Sequence, residues 1–276
     1  MLVDASYLDF GKRLFKHSQK DGIFDLAAQL AFYFLLSLFP FLIFSITLLA
    51  YFDFSQEQIL ELVYQYAPPE TFSVIQKNLL IGDGAKKGLL SFGILFTMWS
   101  ASNALNAIIR ALNKAYNVKE SRHFIIARGL AVILSFAMIF VIVVALLLPV
   151  FGEMLWRFLM LYLNLPDSFS TVFSFIRWAL SFLIIFAVFV VIYFFAPNKR
   201  IGIRDVIKGS IFSTVIWQLL SLAFSYYVSN FGNFTATYGS LGGVIVLMLW
   251  FYLTGLIIVL GGEINALSYY YRNRNS

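Results

Sequence analysis

The run at residues 241–266, LGGVIVLMLWFYLTGLIIVLGGEINA, constrains this chain more than any other stretch. Its first 22 residues carry no charge. About 20 apolar residues let a helix cross the hydrocarbon of a bilayer, where every backbone polar group must be satisfied within the segment. A membrane-spanning helix meets both demands. The run then ends in Gly261-Gly262-Glu263-Ile264-Asn265. A carboxylate and an amide at such a place are costly to bury, so Glu263 and Asn265 are candidate functional residues.

Five more apolar stretches have the required length, at roughly 24–51, 88–110, 129–151, 175–196 and 206–228. They are continuous, whereas a membrane β-strand shows ~10-residue alternation. Only 12% of the residues are charged, against about 25% in soluble domains. That leaves too little polar surface for a water-soluble globule. The expected fold is all-α: a polytopic membrane bundle of six transmembrane helices in a single domain, 1–276. It comprises an amphipathic segment 1–23, the six-span bundle 24–266 and a tail 267–276. The chain has no cysteine, which excludes disulfides and thiolate metal sites. No cleavable signal is expected, because the first apolar run is too long and lies behind Lys12, Arg13, Lys16 and Lys20.

Orientation follows from Lys and Arg. The N-terminal segment, the second-to-third and fourth-to-fifth connections and the tail hold 15, and the opposite side holds 5. Both termini are therefore expected in the cytoplasm. Residues 7–20 set Tyr7, Phe10, Leu14 and Phe15 among four cations, the pattern of a basic amphipathic helix on an anionic leaflet. The first outer loop, 52–87, is too long for a plain connection. Ile59, Val63 and Tyr66, then Phe72, Ile75 and Leu79, predict two short helices there. The connection 229–240 is expected to form a rigid outer cap.

Three spans carry polar stripes. In the first, Asp25, Gln29, Tyr33 and Ser37 recur every four residues and share a face, followed by Pro40, where a kink or break is expected. In the second, Asn103, Asn106 and Arg110 share a face with Asn113 and Asn117. In the fifth, Gln218 lies deep among Ser210, Thr214, Ser221 and Ser225. Such groups either hold helices together or line a path. Gly255, Gly262 and Ala266 give the last span a smooth face for close packing. Glu263 shares its depth with Asp25, Arg110, Arg128 and Lys208: it is either a brace whose burial an Arg or Lys partner makes tolerable, or part of a polar vestibule open to the cytoplasm that leads up the Gln29–Tyr33–Ser37 stripe.

Several motifs in combination resemble the virulence-factor BrkB family, also called YihY, over essentially the whole chain. They are Ala27-Ala28-Gln29-Leu30-Ala31-Phe32-Tyr33 with Ser37-Leu38-Phe39-Pro40, and Trp99-Ser100-Ala101-Ser102-Asn103. Leu112-Asn113, Tyr116, Pro149, Ala196-Pro197-Asn198, Thr237-Tyr238-Gly239-Ser240-Leu241, Trp250-Phe251-Tyr252 and Gly261-Gly262-Glu263-Ile264-Asn265-Ala266 complete the set. The resemblance implies a six-span, multi-pass protein of the bacterial cytoplasmic (inner) membrane. It also brings an old label, ribonuclease BN, and suggested roles in lipid movement or sodium/proton exchange.

The residues argue against the nuclease label. Metal-dependent phosphodiester hydrolysis needs clustered carboxylates or histidines. His17 and His123 lie in basic stretches, are read as surface residues, and have no metal-ligand spacing around them. No metal, cofactor or nucleic-acid partner is expected, and no enzymatic activity. The favoured reading is a transporter for a lipid or other amphipathic anionic substrate. Its path candidates are Asp25, Gln29, Tyr33, Ser37, Pro40, Asn103, Asn106, Arg110, Gln218, Tyr238, Glu263 and Asn265. The alternatives are a cation antiporter and a non-transporting envelope scaffold. Membrane lipids are the expected partners, and homo-oligomerisation is left open.

Overall fold

The computed structural model describes residues 7–49, 99, 102–123, 125–134, 168–231 and 241–274. Among them are seven helices and no strand. These are α1 Tyr7–Asp21, α2 Ile23–Leu49, α3 at 102–115, α4 Ile125–Leu134, α5 Ser168–Phe195, α6 Ile203–Phe231 and α7 Leu241–Arg274. Three of them, α5, α6 and α7, are long and apolar enough to cross a membrane. The bent pair of α1 and α2 supplies a fourth if counted as one span. Large parts of the stretches at 88–110 and 129–151 lie outside the described residues, as do the first outer loop, Tyr238 and most of the connection at 229–240.

Two boundaries differ from the sequence expectation. The last helix does not stop at Ala266 but continues to Arg274. No Gly or Pro interrupts residues 267–274, and their tyrosines find partners. Tyr269 packs edge-on against Tyr116, with ring centroids 6.1 Å apart, and Tyr271 lies 6.0 Å from Phe10 of α1. Nor does Pro40 break α2, which runs unbroken to Leu49. The sharp bend comes earlier, at Gly22, where α1 and α2 meet at 58°. Gly22 has φ 64°, a left-handed conformation that costs glycine little.

The described helix ends assemble at one end of the bundle. The loop after α3 is tied to the loop after α5: Arg122 donates to the carbonyls of Ala196 and Pro197 at 3.1 and 2.5 Å. The loop residue Asn198 donates its N–H to Asn113 Oδ1 at 2.6 Å. Cations are well placed against helix C-terminal carbonyls, which carry the negative end of the dipole. At the start of α6, Asp205 accepts from the Gly202 N–H at 2.8 Å and pairs with Arg272 of α7 at 2.6 Å. Successive helices thus leave and return to this end, the one the Lys/Arg count assigns to the inside.

The core sits here too. Leu30 of α2, Ile108 and Leu112 of α3, Ile192 of α5, Val206 of α6 and Ile258 of α7 are buried together. Close helix approach depends on glycine, as the smooth face of the last span predicts. A Cβ on Gly255 would lie 3.1 Å from Ala27 O and Leu30 Cβ of α2. One on Gly262 would strike Leu112 of α3. Away from this end, Phe175, Leu183 and Leu219 are outward-facing and more than half exposed, as expected of surfaces bathed in lipid rather than water.

Candidate functional site

Gly22 turns the chain by 58°, which sets α1 against the end of α7. The last turns of α1 place His17 and Asp21 four residues apart, on one helical face. Glu263 rises from α7 beneath them and is fully buried. Nδ1 of His17 lies 2.6 Å from Glu263 Oε2 and 3.3 Å from Asp21 Oδ2. His17 Nδ1 and Glu263 Oε2 share one hydrogen bond across 246 residues of sequence. Lys114 of α3 donates to the Asp21 carbonyl at 2.6 Å, which fixes the end of α1 against the bundle. Two carboxylate oxygens of the cluster, Glu263 Oε1 and Asp21 Oδ2, are buried without a hydrogen bond among the described residues. His17 keeps 30% of its side chain exposed and forms the opening.

Beside the cluster lies an apolar groove of about 350 Å³ between α1, the start of α2 and α7. Leu14, Phe15, Ile23, Phe24, Leu256 and Leu260 line it. Lys12, Lys16 and Lys20 are exposed along the same helix, α1.

A second polar cluster on α7 points elsewhere. Tyr193 of α5 donates to the Ile258 carbonyl at 2.8 Å and bonds Ser213 of α6 at 2.7 Å. Asn265 Oδ1 accepts the Gly209 N–H of α6 at 2.6 Å. A Cβ on Gly261 would collide with Ser213 Oγ and the Tyr193 hydroxyl. This knot holds α5, α6 and α7 together.

The remaining sequence candidates are dispersed. Asp25 and Gln29 are exposed on α2, and Tyr33 and Ser37 are half-buried. The Ser37 hydroxyl donates to its own helix, at Phe34 O, 2.8 Å away. Asn103 accepts from Arg128 of α4 at 2.9 Å, and the Arg128 guanidinium lies 4.4 Å over the Trp99 ring. Asn106 and Gln218 are half-buried and Arg110 is exposed. Ser210 and Thr214 bond carbonyls four residues back in α6. Asn117 ends the α3 segment with φ 49°. Among the described residues, Glu263 is bonded to α1 and not to the α2 stripe, and its partner is His17 rather than an Arg or Lys.

His17, read from the sequence as a surface residue, is partly exposed but bonded to the buried Glu263. The pattern His17-x-x-x-Asp21 was the available signal, since helical i,i+4 spacing is also ligand spacing. Asp205, Tyr193 and Lys114 were missed because their partners are distant in sequence. Near the site, burial pushes the Tyr116 phenol well above its ordinary range and lowers the Lys199 ammonium. Lys199 rests 4.5 Å from the Tyr269 ring and 4.7 Å from that of Tyr270.

The family profile described as Virulence factor BrkB matches residues 14–276. Ribonuclease-like protein YfkH of Bacillus subtilis (strain 168) is 48% identical over 94% of this chain and 95% of its own length. A UPF0761 membrane protein of Pseudoalteromonas atlantica is 26% identical over 92% of this chain and 84% of its own. UPF0761 membrane protein VSAL_I2938 of Aliivibrio salmonicida is 28% identical over 96% and 83%. No solved structure matches.

Proposed function

The chain belongs to the virulence factor BrkB family, which includes membrane proteins, and from that premise we propose that it moves a lipid or other amphipathic anionic substrate across the bacterial cytoplasmic membrane. The observation that carries this reading is the groove beneath α1. Its apolar lining suits an acyl chain, and the Lys12, Lys16 and Lys20 ammonium groups suit an anionic headgroup at the membrane surface. In this reading the chain is multi-pass, with six spans and both termini in the cytoplasm, and the basic end faces inward.

The path differs from a stripe running up α2. Asp25 and Gln29 are exposed at the foot of α2, and the groove provides the apolar part of the route. The ribonuclease-like label of the Bacillus relative is not taken over. Glu263 is fully buried beneath α1, out of reach of a polynucleotide backbone.

Gly11 gives a direct test, because a Cβ there meets nothing within 4 Å. Gly11→Trp should fill the groove without disturbing its walls. Vesicles holding the purified protein and a headgroup-labelled anionic phospholipid should redistribute the label between leaflets, and the variant should lose that activity. Wild-type vesicles with unchanged leaflet distribution, with and without an ion gradient, would overturn the reading.

A further inference from the structure

The cluster of His17, Asp21 and Glu263 has a composition that transport of an amphipath does not require. We infer that these three side chains form a binding site for a divalent first-row transition metal such as Zn²⁺, with Nδ1 of His17 and one oxygen each from Asp21 and Glu263 as ligands. The inference goes beyond the transport reading and stands whether or not a lipid moves.

Three observations support it. The ligand atoms lie within 4.8 Å of one another. A tetrahedral ion with bonds of about 2.1 Å sets its ligand atoms about 3.4 Å apart, and Nδ1 of His17 is already 3.3 Å from Asp21 Oδ2. Second, Glu263 is fully buried, yet its Oε1 has no hydrogen-bond partner among the described residues. Asp21 Oδ2 is also buried, with the 3.3 Å ion-pair contact to His17 Nδ1 but no hydrogen bond among the described residues. A buried acceptor without a partner is costly, and an unseen ion is one of the standard reasons for such a group. Third, the donor types suit a cation: two acid side chains and one imidazole meet at one point, while the Lys114 ammonium donates to the Asp21 carbonyl.

The donor set narrows the metal. Imidazole with two carboxylates suits Zn²⁺, Mn²⁺ or Fe²⁺ better than the soft Cu⁺. Three protein ligands leave a fourth position for water, and the partly exposed His17 provides access. On binding, the ion displaces the proton between Nδ1 and Glu263 Oε2 to solvent, and the 2.6 Å contact opens toward the ~3.4 Å of a tetrahedral ligand pair. The consequence is mechanical: the ion clips α1 to α7, and α1 forms one wall of the groove.

The test uses full-length protein purified on a histidine-free tag, stripped with chelator and titrated with Co²⁺ alone, then with Zn²⁺. Wild type should take up Co²⁺ stoichiometrically, with the visible absorption of a tetrahedral site, and Zn²⁺ should displace it and raise Tm. His17→Ala and Glu263→Gln should each weaken uptake by at least ~10-fold, since even outer-shell losses cost that much. His123→Ala should change nothing. Should Glu263→Gln fail to fold, Asp21→Asn serves as the second ligand variant. Absence of Co²⁺ uptake by wild type, or uptake that survives His17→Ala, overturns the site.

Discussion

Glu263 and Gly261 stand two residues apart on α7 and do opposite things. Residues so spaced point to opposite sides of a helix. Gly261 faces α5 and α6, where Tyr193 and Ser213 hydrogen-bond to one another and to α7 carbonyls, and where no space remains for a methyl group. Glu263 faces α1, where one carboxylate oxygen is bonded and the other is not. A tightly filled polar cluster holds helices in place, although Asn265 Nδ2 beside it has no hydrogen bond among the described residues. An under-bonded one beside an opening can accept something else. The contrast separates a filled cluster from an under-bonded one along a single helix, which sequence depth alone did not do.

That contrast can be broken by experiment. The largest effect should come from Gly261→Ala, whose methyl must displace Ser213 or Tyr193, at a cost of about 3 kcal/mol as in overpacked cores. Thermal unfolding in detergent checks it, and a loss below the error of measurement would mean the knot is loose. Tyr193→Phe comes next, at about 1 kcal/mol, in line with interhelical hydrogen bonds in membranes. Glu263→Gln should change the stability of metal-free protein by less than ~1 kcal/mol, because the amide can keep one bond to His17. If it destabilises as strongly as Gly261→Ala, Glu263 is a brace and the contrast fails.

The smallest effect concerns Tyr116, whose hydroxyl is buried without a hydrogen bond among the described residues. Tyr116→Phe should be neutral or stabilising by under ~1 kcal/mol. Burial raises the Tyr116 pKa in the folded state. Its contribution to stability is therefore complete below the unfolded value near ~10 and is lost as pH climbs beyond that. Alkaline melts should show wild type losing Tm above that pH more steeply than Tyr116→Phe.

The parts of the fold legible in sequence were those set by local pattern. The length of the apolar runs identified α2, α5, α6 and α7, and the Gly255–Gly262–Ala266 face anticipated where α2 and α3 approach α7. The hydroxyls of Ser210 and Thr214 bond their own helix, as short polar side chains in apolar helices often do. What pattern could not supply was direction. The i,i+4 spacing of Asp25, Gln29, Tyr33 and Ser37 defines a face but not what it meets, and at the foot of α2 it meets the outside. Pairings across long sequence gaps, such as Arg272 with Asp205 or Lys114 with Asp21, leave no periodic trace.

The gap between His17 and Glu263 has a consequence for how the protein is made. After His17 is added, the ribosome must add 246 more residues before Glu263 exists. At ordinary synthesis rates that is roughly 10–50 s. Throughout that interval α1 has no Glu263 to dock on, and a chain stopped short of α7 can never close the contact. The His17–Glu263 link is thus a signature of a finished chain, formed only once the last helix has joined the others.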